Sequence, residues 1–428
     1  MLRRLGRSYL RRALTGERDI ALEKRELSLE GCFEGLEELG IYLHVPFCER
    51  ICPYCPYNKE IYRPGVAARY TEAVKTEIDL YAELIADRPV TSVYIGGGTP
   101  TTMLHSGLTE ILDHVHRRFN VRCEIHLESH PNHLTPQNLD TISSMGIDHL
   151  SLGVESLQDR HLKFLERPYS AEGVRAAVGR AVARGFKCVN TDLMFGFPGQ
   201  TYEEVEEAGH ALVEMEVDQV AAYPLFLFPY TRMGREARGK KQKEASIFKR
   251  RRMFHLLEKV FESAGFERSS VWAFTRKGVP KYCSVTVPLY VGLGASGGTY
   301  LTDVFYLNTF HVAEYIRSLE QGKLPIALSL PLSEQMQMAG WLYWRIYETR
   351  FSKEGFKTRF KKDLDVVYGR YLSPLARLGF LSDDGNQVVL SDRGAFWLHA
   401  LEDLFSINYI GKLWGDFKHD PWPKRVAL

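Results

Sequence analysis

The chain predicts an α/β fold in which parallel strands alternate with helices. Three observations carry that reading. From residue 39 to about 230, a short apolar strand, a polar or glycine-rich turn and a helix-period segment recur in turn. The strands have the β-branched and aromatic enrichment of buried strands. The unusual residues fall just past the strands, where α/β proteins of this kind place their chemistry.

Taken in order, the first strand is GIYLHVPF (40–47), and CERICPYCPYNK (48–59) follows it directly. A helix is expected over 66–86. TSVYIGGG (91–98) ends in three glycines and leads to a helix over 105–118. EIHLESH (124–130) precedes a helix over 135–144, which opens on Thr135-Pro136, a capping residue followed by proline at the first helical position. HLSLGVES (149–156), CVNTDLMFG (188–196) and QVAAYPLFLF (219–228) complete the strands, with helices over 170–184 and 201–215 between them. Right-handed parallel connections curl such units into an open six-stranded barrel or a doubly wound sheet.

Beyond the strands, residues 236–253 read as a polar, basic connection into a helix ending near Gly265. Leu293-Gly294-Ala295-Ser296-Gly297-Gly298 is a glycine-rich turn with no lysine after it, so it is not a nucleotide P-loop. From about 330 the pattern changes to helices. RLGFLSDDGNQVVLSDRG (377–394) reads as a helix, a hairpin turning near Asp383-Asp384-Gly385-Asn386, and a further helix. The first seventeen residues carry Arg3, Arg4, Arg7, Arg11 and Arg12 before the first acid, Glu17, against Leu2, Leu5, Leu10 and Leu14. An amphipathic arm packed on the protein is preferred there to a transit peptide.

Lys and Arg number 55 against 53 Asp and Glu, a net charge of +2, so no global field points to nucleic acid. No apolar run approaches the roughly 20 residues of a membrane span. Seven cysteines, an odd number with three clustered, do not form a disulfide framework and suit a reducing cytoplasm.

Cys48, Cys52 and Cys55, spaced C-x3-C-x2-C, put three thiolates on one short loop. Structural zinc takes four protein ligands, and the nearest fourth, His44, sits in the strand. The spacing favours an iron–sulfur cluster held by thiolates, with one iron left open to bind a cofactor.

With Tyr54 before the last cysteine, this loop resembles that of radical S-adenosylmethionine (SAM) enzymes. IGGGTPT (95–101), LSLGVES (150–156), LERPY (165–169) and NTDLMFGFPGQT (190–201) are similar to motifs of oxygen-independent coproporphyrinogen III oxidases and their relatives. The resemblance covers roughly residues 40–325 in order and spacing. It implies a partial (β/α)6 barrel over 39–325, a helical N-terminal arm over 1–38 and a small winged-helix-like α+β module over 326–428.

The resemblance also implies a [4Fe-4S] cluster and SAM. Gly96, Gly97, Gly98 and Thr99 would lie close to SAM's methionine part, Glu128 would face its amino group and Arg167 its carboxylate. Asp192 and Glu155 would meet the ribose hydroxyls, with Glu155 standing where the oxidase has glutamine. Tyr54, Gly97 and Thr99 are consistent with the second SAM that some relatives hold. Tyr42 matches a tyrosine near the cluster, although periodicity alone makes it equally a core residue.

The implied reaction is reductive: an external donor such as flavodoxin supplies an electron, SAM is cleaved, and the 5′-deoxyadenosyl radical takes a hydrogen from a tetrapyrrole or similarly flat heteroaromatic substrate. Tyr42 and Tyr57 are the catalytic candidates. Tyr57 is the main departure, because the oxidase has a fourth cysteine there. Relatives without that cysteine include methyltransferases, anaerobic haem-degrading enzymes and a haem chaperone. The chaperone's His-Asn dipeptide is absent from YLNTFHVAEY (306–315). The basic residues Lys240, Lys241, Lys243 and Lys249 to Arg252 read as a solvated face rather than a carboxylate-binding patch.

Overall fold

The computed structural model describes residues 11–239, 245–282 and 289–428. Most of the basic arm, Lys240, Lys241, Lys243 and Cys283 therefore lie outside the described residues.

Six parallel strands lie side by side in chain order: β1 (Leu39–Val45), β2 (Pro89–Gly97), β3 (Ile125–Ser129), β4 (His149–Glu155), β5 (Cys188–Phe195) and β6 (Gln219–Pro224). Each pairs with the next in parallel. A doubly wound sheet would reverse its strand order at a switch point. No reversal occurs among these six, so right-handed crossovers place the connecting helices on one side. The fold matches the parallel α/β architecture expected from the sequence.

The helices are α1 (Pro64–Ile85), α2 (Leu108–Arg118), α3 (Pro136–Ser144), α4 (Ala171–Arg184) and α5 (Tyr202–Glu214). Their ends obey local chemistry. Thr135 Oγ1 accepts the Asn138 N–H at 3.2 Å ahead of Pro136. Thr201 and Glu204 cap each other reciprocally at the start of α5. Ser170 caps α4, which stops at Gly185 in the left-handed region, φ +83°.

Strand alternation sorts the two faces. Ile41, Leu43, Val93, Ile95, Leu127, Leu150, Leu152 and Val189 are buried in the main core with residues of the helices. On the other face, register brings Tyr42 beside Tyr94, Tyr94 beside His126, Glu128 beside Ser151, and Ser151 beside Asn190. The inner face is thus polar and aromatic, and its charged members stand toward the strand C-termini.

The sheet continues past both edges. β6 pairs antiparallel with Ala273–Arg276. β1 pairs in parallel with β7 (Tyr290–Leu293), followed by β8 (Gly298–Tyr300), β9 (Val304–Asn308) and β10 (Ile326–Pro331), all antiparallel. Ala21–Glu23 pairs with β10 on one side and Arg425–Ala427 on the other. The long α6 (Ile247–Ser263), α7 (Glu334–Tyr347) and α8 (Asp392–Phe417) belong to the later half of the chain. The hairpin expected near 383–386 joins Leu381–Asp383 to Gln387–Leu390, with Arg350–Ser352 as a third strand. No helix among the described residues is long and apolar enough to cross a membrane.

Candidate functional site

The cysteine loop starts where β1 ends. Phe47–Cys48 forms a short parallel pair with Glu60–Ile61, which closes the loop at its base. The Gly98 N–H donates to Val45 O at 2.8 Å and the Thr99 N–H to Phe47 O at 2.8 Å, binding the loop to the end of β2. Thr99 Oγ1 lies 3.5 Å from Cys48 Sγ. Burial pushes the Cys48 thiol up to about 12 and raises the Cys55 thiol as well. Such thiols become thiolates only beside positive charge or metal. Arg167 Nη1 supplies charge to Cys52 Sγ at 3.2 Å, and Lys59 favours the thiolates of Cys48 and Cys55.

The glycines of β2 form a cradle that side chains would fill. A Cβ on Gly96 would stand 2.9 Å from the Glu128 carboxyl carbon, and one on Gly98 would stand 3.1 Å from Cys48 Sγ. Gly97 is at φ +120°, and a Cβ there would meet the His44 ring at 2.7 Å. These positions need glycine whatever occupies the space above them.

Glu128 is held by the Tyr94 hydroxyl, which donates to Oε1 at 2.7 Å, and by the Gly97 N–H, which donates to Oε2 at 3.0 Å. Asp192 accepts from Asn190 Nδ2 at 3.0 Å. Glu155 adopts φ +63° at the irregular end of β4 and is buried. Its carboxylate accepts from Tyr223 Oη at 3.3 Å and lies 3.8 Å from the Arg167 guanidinium. Burial raises all three carboxyl groups above the usual carboxylate range. For Asp192 the charges of Glu155 and Glu128 add to the effect of burial. Glu155 and Asp192 lie near the Arg167 guanidinium, and Glu128 lies near Asp192, a group of buried carboxyls that favours a cation beside it.

Arg167 is held by three oxygen acceptors. Its Nη2 donates to Gly153 O at 2.9 Å, its Nε to Tyr169 Oη at 2.5 Å and its Nη1 to Tyr54 Oη at 3.4 Å. Tyr42 Oη lies 2.9 Å from His44 Nδ1, and the Tyr42 ring packs on Tyr94. Tyr57 is 61% exposed. Its hydroxyl nevertheless lies within electrostatic reach of Glu128, Cys55, Asp192 and Tyr347, so it stands in an open cavity rather than on the outer surface.

The structure thus gathers Tyr42, Tyr54, Tyr57, Gly96, Gly97, Gly98, Thr99, Glu128, Glu155, Arg167 and Asp192 around Cys48, Cys52 and Cys55. It does not bring the described basic residues to them in the same way. Lys249 Nζ donates to Gln200 O at 2.8 Å, and Arg252 lies over the Tyr202 ring. Outside this group, His105 meets Asn138, His114 meets Asp79, and His130 Nδ1 accepts the Asn132 N–H.

Sequence reasoning missed the groups that anchor the loop. His44 Nε2 lies 3.0 Å from Asn58 O. Asn58 Nδ2 donates to Phe310 O at 2.8 Å and to Ala295 O at 3.4 Å, reaching the glycine-rich turn. That turn rests on Glu77, buried within α1, which accepts from the Gly294 N–H at 2.7 Å, Asn308 Nδ2 at 2.7 Å and Tyr315 Oη at 2.5 Å. One signal could have exposed Glu77: it is a lone acid in the stripe Tyr70, Val74, Ile78, Tyr81.

The donor set fits a cluster. Among the described residues, no three His, Cys, Asp or Glu side chains are drawn together to hold a single ion. A four-iron cluster instead takes separate thiolates on separate irons. The glycine cradle adjoins both that loop and Glu128.

A model of the radical SAM superfamily matches residues 42–212. The chain is 25% identical over 366 residues to the heme chaperone HemW of Bacillus subtilis, covering 82% of this chain and 95% of that protein. It is 31% identical over 303 residues to the heme chaperone HemW of Mycobacterium tuberculosis strain H37Rv, covering 68% and 77% of the two chains. Similarity to the oxygen-independent coproporphyrinogen III oxidase of Salmonella typhimurium strain LT2 is 30% over 188 residues, 43% of this chain and 41% of that one. The solved structure of coproporphyrinogen III oxidase (HemN) from Escherichia coli superposes with a TM-score of 0.77 over 90% of this chain and 94% of that chain, at 20% identity, and so shares the fold.

Proposed function

The chain belongs to the radical SAM superfamily, among the relatives of HemW and oxygen-independent coproporphyrinogen III oxidase, and on that premise we propose an enzyme that cleaves SAM reductively to modify a tetrapyrrole or similarly flat heteroaromatic molecule. Family membership implies a [4Fe-4S] cluster and SAM. Bound together, they supply the reducing electron and the radical that abstracts hydrogen.

Cys48, Cys52 and Cys55 hold the cluster in this reading. Gly96, Gly97 and Gly98 let backbone groups approach SAM, Glu128 takes its ammonium, and Arg167 takes its carboxylate. Asp192 and Glu155 accept from the ribose hydroxyls. Tyr57, 61% exposed, offers a flat apolar face. A conjugated ring system suits such a face. An external one-electron donor such as flavodoxin completes the proposal.

The observation that carries it is the buried pair Glu155 and Asp192 near Arg167, whose guanidinium also meets Cys52 Sγ, with Glu128 held at the glycine cradle. The test is anaerobic reconstitution followed by dithionite and SAM. 5′-Deoxyadenosine should form, and an intact cluster that yields none sinks the enzymatic reading. S-adenosylhomocysteine among the products would indicate a methyltransferase instead.

A second reading is a haem-trafficking protein. Two observations favour it: the relatives named heme chaperone align over most of this chain, and Tyr57 replaces the oxidase's cysteine. It predicts stoichiometric haem binding with little turnover. A haem titration without spectral change would remove it.

A further inference from the structure

We propose that Lys59, with Trp414 beside its ammonium, is a positioning residue that sets the reduction potential of the cluster held by Cys48, Cys52 and Cys55. The inference rests on the cluster assignment above and concerns its electrostatics rather than its substrate.

Lys59 straps the loop from within. Its Nζ donates to Cys55 O at 2.7 Å and to Tyr57 O at 2.7 Å. The ammonium is therefore held beside the thiol-bearing backbone instead of trailing in water. It is bonded directly to the carbonyl of one thiol-bearing residue, Cys55. On the other side, Arg167 Nη1 lies 3.2 Å from Cys52 Sγ. Two cations thus flank the thiol loop.

The far end of the chain also brings an aromatic ring to the ammonium. Nζ lies 6.0 Å from the Trp414 ring centroid on α8. Trp414 is itself fixed: it stacks on Tyr230 at 5.8 Å and 24°, and it meets Phe310 edge-on at 4.6 Å. Tyr230 Oη donates to Pro56 O at 3.1 Å, returning the contact to the same loop. The face of an aromatic ring attracts a cation and helps to fix it in place. Cluster potentials follow local charge and solvent exposure. Reduction adds one electron, taken here from dithionite, and forms or breaks no bond. A fixed cation lowers the free energy of that extra negative charge.

The test is a redox titration of the anaerobically reconstituted full-length protein, followed by electron paramagnetic resonance, with iron content and thermal melting measured alongside. Lys59→Met should move the midpoint to more negative potential, and Lys59→Arg should stay close to wild type. Trp414→Ala should move it in the same direction by less. The double variant Lys59→Met/Trp414→Ala should match Lys59→Met alone, because the indole acts through the ammonium. An unchanged midpoint in Lys59→Met, or additive shifts in the double variant, would overturn the proposal. If Lys59→Met takes up no cluster, Trp414→Ala decides: no shift there overturns it. Wild-type protein that binds no iron would refute the cluster assignment itself, a result the iron count separates from the others.

Discussion

At Gly97 two constraints coincide: a left-handed backbone, φ +120°, and no room for a Cβ beside His44. Such strain costs roughly 1–3 kcal/mol, so Gly97→Ala should weaken SAM binding by about tenfold or more, as read by equilibrium dialysis with labelled SAM. Unchanged affinity would remove Gly97 from the site. Glu128 and Asp192 add a pH dependence. Their carboxyl groups are raised by burial, and Asp192 also by its neighbours' charge. A cationic ligand favours the ionised forms, so SAM binding should release protons. Its affinity should fall with falling pH, beginning above the ordinary carboxylate range near about 4. Calorimetry in two buffers of different ionisation enthalpy counts those protons, and a count of zero contradicts the assignment. The cysteines and glycines were legible because their meaning lies in short spacing. Tyr94, His44 and Asn58 were not. The partners of Asn58 are 237 and 252 residues away, and no local pattern encodes such a contact.

Among the elements, α1 carries the clearest stability prediction. Glu77 sits in its buried stripe, and its folded pKa is raised from 4.5 to about 7 by burial, which outweighs three donated hydrogen bonds. A raised carboxyl favours the protonated folded state. Its contribution to stability is therefore full below about 4.5 and is lost as pH rises through about 7. The change across that window is on the order of 3 kcal/mol. Glu77→Gln should flatten the dependence of denaturation midpoint on pH between those values; an identical slope in the variant would show that Glu77 is not its source. The strands and long helices of the parallel unit could be read from the chain because each has a clear period and a cap or turn at its ends. The short helices Asp159–Phe164 and Arg232–Gly239 escaped, since six and eight residues are too few to establish a 3.6-residue period. The glycine-rich turn was recognised as a turn, but its task of receiving Asn58 depends on β9 and α1 packing together.

In the molecule as a whole, one sheet ties early and late segments together. Leu22 and Val426 are buried in one small apolar cluster with Leu328, Leu413 and Phe417. Val426→Ala should lower stability by roughly 2 kcal/mol, seen as a lower urea midpoint with an unchanged slope; no change would mean that the terminal strand is not part of the cooperative unit. The same pairing orders events in time. β1 to β6 can align as each emerges, because every strand meets the one made just before it. Among the described residues, Ala21–Glu23 pairs only with β10 and Arg425–Ala427, so the earliest described strand waits for the latest. Asn58 likewise waits for Ala295 and Phe310, and Lys59 waits longer still for Trp414. During synthesis the thiol loop therefore exists before its late contacts do, and it stays open to small solutes until the chain is complete.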